Sequence, residues 1–569
     1  MHFPKMKLCS KICKCYCCLN PVLSFPTSFD HQNSENYNSS TLQYDFATAT
    51  TSSLYPHTQF TNPDSLPTLQ ESFRSFTRSF PHYLTTVEAD QIRAHDYRHL
   101  FLSSHVCLDY SGHALFSSSQ QSQQQHHQQQ QQQQQPQHQQ QNGEFVASSS
   151  CSSTPSNDPC SKKVEEIESK LKGRIMRYLN VSEEDYSLFC TSNQTSSFGI
   201  MAESYPFQTN NNLITVYDHE NEAIEAMVKT SKGRGARVSS AEFKWPKLKI
   251  HCNKLEEMLL GSVKKKKMNK GLFVFPVQSR VSGARYSYQW MSLARDNGWH
   301  VLLDASALNP KEMDTLGLSL FQPDFLICTF YKVFGQDPSG FSCLLVKKSI
   351  SSTLNLSSIS SSPRIMTLTH ITKDGQREIN ECDGIECKGL DQADALGLVL
   401  VSNRIRCLIN WLTNALLALY HPHSDKGVQL VQVYGPRVKF DRGSSLAFNM
   451  FDWKGERVDP MLVQKLGDRN DISVGCGLLK HVWFSERYEV EKEKVCSKEG
   501  SSRKGKGKKK RESTGNEDGI AVVTVNIGFL TNFEDVYVLW KFVSKFLDAD
   551  FVEKERWRYT ALNQKSFEV

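Results

Sequence analysis

Between Lys162 and Lys348 short apolar runs alternate with amphipathic stretches, and this alternation restricts the fold more than any other feature of the chain. "YSLFC", "NLITVYD", "GLFVFPVQS", "HVLLDAS", "DFLICTF" and "FSCLLVKK" have the length and composition of interior strands, bounded by turn-forming residues. Before and between them, "KVEEIESKLKGRIMRYL", "TSSFGIMAESY" and "NEAIEAMVKTS" read as helices. Strands that are apolar on both faces need helices on both sides. The pattern therefore predicts an α/β fold built on a mainly parallel sheet.

At 569 residues the chain is too long for one core. It divides into a disordered tail (1–70), a protein-like N-terminal segment of the fold (71–117), a Gln/Ser-rich disordered insert (118–160) and a large α/β domain (161–350). A Ser-rich connection (351–390) leads to a small C-terminal α/β lobe (391–569), which carries a disordered Lys-rich insert at 489–518. "VEADQIRAHDYRHLF" predicts a helix, "VCLDYSG" a short strand and turn, and Asp394 to Leu419 a long amphipathic helix. "AVVTVNIGFL" and "FEDVYVLWKFVSKFL" close the chain as strand and helix. The tract from Gln120 to Gln141 is almost pure poly-Gln, low-complexity sequence that supplies no core.

Net charge is only +6, and the excess lysine sits in "KKKK" (264–267) and "RKGKGKKKR" (503–511). Both read as solvated loops, so no nucleic acid partner is expected; a nuclear or polyanion-binding role rests on these runs alone. The odd total of 17 cysteines follows no framework, which suits a reducing compartment and a cytoplasmic location. Near the N-terminus, Cys9, Cys13, Cys15, Cys17 and Cys18 beside lysines leave three readings open: a plain tail, an organelle address or a palmitoylation site. No metal site is expected. The longest apolar run, "ALGLVLVSNRIRCLINWLTNALLAL", is interrupted by Arg404 and Arg406, so no membrane span is predicted.

Chemistry concentrates at strand ends. Lys332, in "TFYKVFGQDPSG", stands just past the C-terminal end of "DFLICTF", the end where open α/β sheets bind ligands. Alone it reads equally as a loop lysine. "HVLLDAS" places Asp304 at the end of the preceding strand, and Asn309–Pro310 already start the next helix, so Asp304 is not simply its cap. A lysine and an acid at successive strand ends meet the needs of pyridoxal phosphate: an amine to form the Schiff base and a carboxylate to keep the pyridine nitrogen protonated. A strand-end salt bridge is the alternative. "CTSNQTSS" offers Thr191, Ser192, Asn193 and Thr195 at a helix start for a phosphate, or as plain caps. "YDHENEA" offers His219 as a ring partner, or as an exposed residue entering a helix.

Together "VCLDYSGHALFS", "TSNQTSSFGIMAESYPF", "LITVYDHENEAI", "FVFPVQSRVSGARYSYQWM", "DFLICTFYKVFG" and "VNIGFLTNFEDV" resemble the class V aminotransferase group of pyridoxal-phosphate transferases. That group includes the cysteine desulfurases and the molybdenum cofactor sulfurases, and the likeness to the sulfurases' N-terminal domain is the stronger. The resemblance implies Lys332 for the Schiff base, Asp304 for the ring nitrogen, His219 over the ring, and Thr191, Ser192 and Thr329 near the phosphate, with Gln278 among the polar contacts. It also implies L-cysteine as amino-acid substrate, a sulfur acceptor or the molybdenum cofactor as recipient, and a homodimer.

The chain departs from the family in three places. The glycine-rich segment expected after the lysine strand is replaced by "KKSISSTLNLSSISSSPRIM". The cysteine loop reads "SVGCGLLKH", which keeps Cys476 as either the sulfur-accepting nucleophile or an ordinary cysteine. Where the resemblance implies an arginine for the substrate carboxylate, the chain has Thr524, which lacks the bidentate fork. Two functions stay open: sulfur mobilisation by a transferase or lyase, or a catalytically impaired descendant acting as a binding or scaffold module.

Overall fold

In the computed structural model, seven strands form one sheet whose members are nearly all apolar. In chain order they are β1 (Tyr186–Thr191), β2 (Asn212–Thr215), β3 (Arg237–Ser240), β4 (Gly271–Pro276), β5 (His300–Asp304), β6 (Phe325–Thr329) and β7 (Ser342–Lys347). Their order across the sheet is β1-β7-β6-β5-β4-β2-β3. Only β7 runs antiparallel, against both β6 and β1, so the remaining six point the same way. The α/β architecture with a mainly parallel sheet is the one the alternation predicts. The structure describes residues 58–98, 100, 105–109, 117–118, 144–148, 159–261, 271–312, 321–331, 341–354, 359, 362–371, 387–422, 428–436, 442–496 and 519–565. Lys332, the poly-Gln tract, both lysine runs and the N-terminal cysteine cluster lie outside the described residues.

Burial explains the central strands. All six residues of β4 are buried, and Phe273 and Phe275 stack on each other 5.6 Å apart between two helical layers. Two helices start at strand ends with side-chain caps: α1 (Gln194–Ser204) after β1, where Asn193 accepts from the Ser196 N–H, and α2 (Glu222–Gly233) after β2, where Asn221 accepts from the Ala223 N–H. These caps fix the strand-to-helix turns that bring polar residues to the C-terminal edge of the sheet. From β1 the chain crosses to β2 past the positions later filled by β7, β6, β5 and β4, and this reversal opens a crevice at that edge.

A second lobe carries a four-stranded antiparallel sheet of β8 (Val431–Tyr434), β9 (Ser445–Met450), β10 (Gly475–Leu479) and β11 (Ile520–Asn526), ordered β8-β9-β11-β10. The N-terminal segment joins this lobe's core: Phe76 stacks on Phe533 at 4.5 Å and packs edge-on to Tyr83 and Trp411. The predicted N-terminal helix is present as Val87–Asp96, and the strand Val106–Cys107 pairs with Ile472–Ser473. Strand Glu144–Ser148 pairs with Thr367–Ile371, and Glu489–Cys496 is helical.

The long helix runs from Lys388 to Leu417, further upstream than its apolar pattern suggests, and breaks at Gly397, whose φ of 72° only glycine tolerates well. By length and composition its Gly389–Leu417 portion qualifies as a membrane span, but half of its apolar window is buried inside the protein. Arg404 is fully buried there and held by the Thr531 carbonyl, Thr86 and the Asp90 carboxylate. That arrangement is a core helix, with the arginine tying it to the N-terminal segment.

Candidate functional site

Six chain segments converge on one cavity. Five lie at or just past the C-terminal ends of parallel strands: Gln194 after β1; Tyr217, His219 and Asn221 after β2; Gln278 and Arg280 after β4; Asp304, Ser306 and Ala307 at β5; Thr329 and Tyr331 at β6. The sixth, Asn526, ends β11 of the second lobe.

Asp304 is nearly buried and well supplied with donors. Its Oδ2 accepts from the Tyr217 hydroxyl at 2.9 Å and from Gln194 Nε2 at 3.2 Å, and its Oδ1 accepts from the Ser306 N–H at 2.9 Å. Burial, with the Asp304 carboxylate alongside, pushes the Tyr217 phenol well above its ordinary range, and the nearby Arg280 cation opposes this only partly. Tyr217 therefore stays a proton donor.

His219 is fixed from behind. Its Nδ1 lies 2.8 Å from Asp218 Oδ1, and Asp218 also accepts from the hydroxyls of Ser279 (2.6 Å) and Ser282. Burial works to raise the Asp218 carboxyl, but hydrogen bonds from His219, Ser279 and Ser282 outweigh it and hold the group below its ordinary value. An ionised carboxylate only accepts, so Nδ1 carries the imidazole proton. His219 Nε2 is left buried with no partner among the described residues. The main chain is pinned as well, by a bridge from His219 to Leu479 and by the Glu220 N–H bonding the Leu478 carbonyl on β10.

Three cavity-lining side chains hold buried polar atoms without partners among the described residues: His219 Nε2, Ser306 Oγ and Asn526 Nδ2. A buried polar atom left unpaired is costly, so their convergence marks a place built for a polar occupant.

Of the residues singled out by sequence, the structure brings Asp304, His219, Gln278 and Thr329 to the cavity wall. Gln278 is 2% exposed; its Oε1 accepts from Arg285 Nε at 3.1 Å, and its Nε2 reaches the Ala307 carbonyl at 3.4 Å. Thr191 is turned inward, bonding Ser197 Oγ at 2.7 Å, and it does not line the cavity. Ser192 stands at the mouth of α1, its hydroxyl 3.0 Å from Ser196 Oγ and its carbonyl accepting from the Tyr331 hydroxyl at 3.4 Å. Burial raises the Tyr331 phenol to about 12 despite the lowering influence of the Gln194 backbone N–H. Lys332 follows Tyr331 in the chain and lies outside the described residues.

Cys476 is exposed on β10 and does not line the cavity. Its Sγ donates to the Pro460 carbonyl at 3.4 Å; partial burial of the sulfur, then Asp459, Asp109 and Asp468, push the thiol up to about 12. Thr524 faces Gly475, where an added Cβ would sit 2.5 Å from its Oγ1. Sequence reading missed Tyr217, Arg280, Ser306, Tyr331 and Asn526. Each lies within two residues of a position it did single out, so strand-end placement was the available signal.

No family model matches the chain. It is 23% identical over 446 residues to the molybdenum cofactor sulfurase of Solanum lycopersicum, a match covering 70% of this chain and 52% of that protein. It is 25% identical over 361 residues to the molybdenum cofactor sulfurase of Bos taurus, covering 58% of this chain and 39% of that protein. The chain thus spans about half or less of the length of these curated relatives. Among solved structures it is similar to the apo cysteine desulfurase of Thermococcus onnurineus NA1, with a TM-score of 0.51 at 13% identity, covering 80% of this chain and 97% of that one. The resemblance to the sulfurases holds, and the fold is that of a cysteine desulfurase.

Proposed function

We propose that the chain binds pyridoxal 5'-phosphate in this cavity and mobilises sulfur from L-cysteine. The observation that carries the reading is the convergence of three unpaired buried polar atoms with the Asp304 carboxylate at the C-terminal edge of the sheet. These residues fit the cofactor. Asp304 would hold the proton at the ring nitrogen, and His219 would lie against the ring. The first turn of α1, with Ser192 and Thr329, would receive the phosphate, since the leading N–H groups of a helix have no intrahelical acceptors. Lys332 would supply the amine, and its neighbour Tyr331 lines the wall.

When bound, pyridoxal phosphate supplies an aldehyde that condenses with an amine and a ring that draws electrons from the bond being broken. The side chains do the rest. Tyr217 and Gln194 hold the Asp304 carboxylate in place, where it would accept from the ring nitrogen. His219, held through Nδ1 by Asp218, presents Nε2 without a partner among the described residues, where it can exchange a proton with substrate. In the net reaction the C–S bond of L-cysteine breaks, an attacking thiolate forms an S–S bond to the released sulfur, and the thiol proton ends on the β-carbon of alanine. Atoms and charge balance between one thiolate consumed and one persulfide anion formed. Cys476, held protonated, is a slow thiolate donor as it stands, which favours an external thiol or a small-molecule acceptor. A homodimer is part of the proposal, as is a molybdenum-bound recipient of the sulfur.

The test is the absorbance spectrum of the purified chain with pyridoxal phosphate, wild type against Lys332→Ala, followed by L-cysteine with dithiothreitol as acceptor. A visible band present in wild type and lost in the variant, with alanine and sulfide released by wild type alone, is the expected result. Absence of the band in wild type refutes the cofactor reading. A band without alanine release refutes the desulfurase reading and leaves a cofactor-binding module.

A further inference from the structure

Arg280 is the only lysine or arginine among the described residues that line the cavity. No described carboxylate lies within ion-pair distance of it, and it makes no hydrogen bond among the described residues. It lines the cavity alongside Tyr217, whose phenol feels its positive charge. Two further donors face the same space unpaired: Asn526 Nδ2, on a residue 2% exposed, and Ser306 Oγ. Asn526 cannot turn its amide away cheaply, because its Oδ1 already accepts from the Ser445 hydroxyl. A guanidinium, an amide N–H and a hydroxyl, each able to donate, suit an anionic oxygen pair.

We propose that Arg280, with Asn526 and Ser306, binds the α-carboxylate of the amino-acid substrate. This rests on the pyridoxal-phosphate reading and names, within it, the residues that take the substrate's carboxylate and so select an α-amino acid over a simple amine. The planar fork of Arg280 matches a carboxylate bidentately. Asn526 supplies the second lobe's contribution, so an amino acid bridges the two lobes whereas an amine without a carboxylate does not. The loop carrying Arg280 is closely held. Gly283, at φ +70°, lets the loop carrying Arg280 approach β9 so closely that a Cβ there would lie 2.2 Å from the Ser445 carbonyl oxygen. The Gly443 N–H then bonds the Gly283 carbonyl at 2.7 Å. Arg280 is thereby presented from a fixed turn.

The test uses the full chain loaded with pyridoxal phosphate and titrated, by its absorbance change, with L-alanine and L-cysteine and with their decarboxylated counterparts ethylamine and cysteamine. Wild type should bind the amino acids more tightly than the amines. Arg280→Gln should weaken amino-acid binding about tenfold to a hundredfold while leaving the amines and the uptake of pyridoxal phosphate unchanged, the range expected for losing a charge-assisted hydrogen-bonded pair. Asn526→Asp, which keeps the oxygen facing Ser445 and turns the donor into an anion, should act in the same direction and spare the amines. Arg280 makes no bond among the described residues, so its loss should leave folding intact. Three results overturn the assignment: equal amino-acid binding by wild type and Arg280→Gln, equal weakening of amines and amino acids, or weakened pyridoxal-phosphate uptake, which would place Arg280 on the phosphate. A wild type that takes up no pyridoxal phosphate overturns the underlying reading together with this one. A wild type that takes it up without preferring carboxylates overturns this one alone.

Discussion

Replacing Asp218 with asparagine tests whether the support behind His219 is held by charge. The Asp218 side chain is fully buried, and three donors meet it: His219 Nδ1 at 2.8 Å, Ser279 Oγ at 2.6 Å and Ser282 Oγ. Asparagine keeps one oxygen for two of them, meets the Ser282 hydroxyl with an amide N–H so that this hydroxyl must turn from donor to acceptor, and makes every survivor neutral. A hydrogen bond to a charged group contributes about 1.5–3 kcal/mol and a neutral one about 1, so the gross loss is about 3–6 kcal/mol. Relief of the buried charge offsets part of this. Because the carboxyl is held below its ordinary value in spite of burial, the donors win that contest, and a net loss of about 2–4 kcal/mol remains. The sign with pH follows. A carboxyl lowered in the folded state contributes stability that is fully present above the unfolded value of about 3.9 and is lost as pH falls through the folded value. Urea unfolding followed by tryptophan fluorescence should therefore show the variant less stable at pH 7, with the gap closing below about pH 4. Nitrogen chemical shifts of the His219 ring should change from a pure Nδ1–H form to a tautomeric mixture. A variant as stable as wild type at pH 7, or a gap that does not change with pH, refutes the reasoning.

Cys476, with its thiol raised to about 12 from an ordinary 9.0, should be alkylated by iodoacetamide about tenfold to a hundredfold more slowly than a free thiol at pH 8, the loss of thiolate being partly offset by its greater nucleophilicity, as read by peptide mass mapping; alkylation at the free-thiol rate would disprove its protonated state. Gly443→Ala would place a Cβ 1.8 Å from Gln278 Oε1, so Gln278 must leave Arg285 and the cavity wall must shift. A stability loss of about 1–3 kcal/mol with weakened pyridoxal-phosphate uptake is expected in thermal and spectral titrations. Gly233→Ala, whose new methyl meets nothing within 4 Å, serves as the control.

The sheet was legible because its strands are short apolar runs separated by capped helices, a pattern that depends on local sequence alone. Strand direction was not. β7 reads like its neighbours but runs antiparallel, since direction is set by the connection before it rather than by the apolar run. Asp304 and His219 could be found because strand ends in an open sheet are the expected place for chemistry. Tyr217 and Asn526 stand two residues from His219 and Thr524, within reach of the same signal, but what fixes each in the cavity wall is a pairing with a distant segment that sequence does not show: Tyr217 with Asp304, Asn526 with Ser445 on β9. Thr191 shows the converse error of distance. A hydroxyl at a strand end looks available in sequence, yet Ser197 and the Ser342 carbonyl claim it from inside the sheet.

What makes the cavity one site rather than two facing walls is Arg442. Its guanidinium is buried and bonds four carbonyls: Pro436 at 2.7 Å, Tyr434 at 3.1 Å, Ser282 at 3.1 Å and Ser445 at 3.2 Å. Burial without a carboxylate partner pushes its titration down to about 9, so it stays charged at neutral pH, held by carbonyl dipoles alone. Ser282 belongs to the loop that carries Arg280 and helps hold Asp218; Ser445 accepts from Arg442 with its carbonyl and donates to Asn526 with its hydroxyl. One cation therefore ties the residues behind His219 to the residue behind Asn526. Any movement of the lobes must either carry both walls together or break a buried, charged cluster, and the second is far the costlier. The polar atoms facing the cavity are thus set in place before a ligand arrives. That pre-organisation is what lets unpaired donors persist in the core: the rigidity that leaves them without protein partners also keeps them from turning away before a ligand arrives.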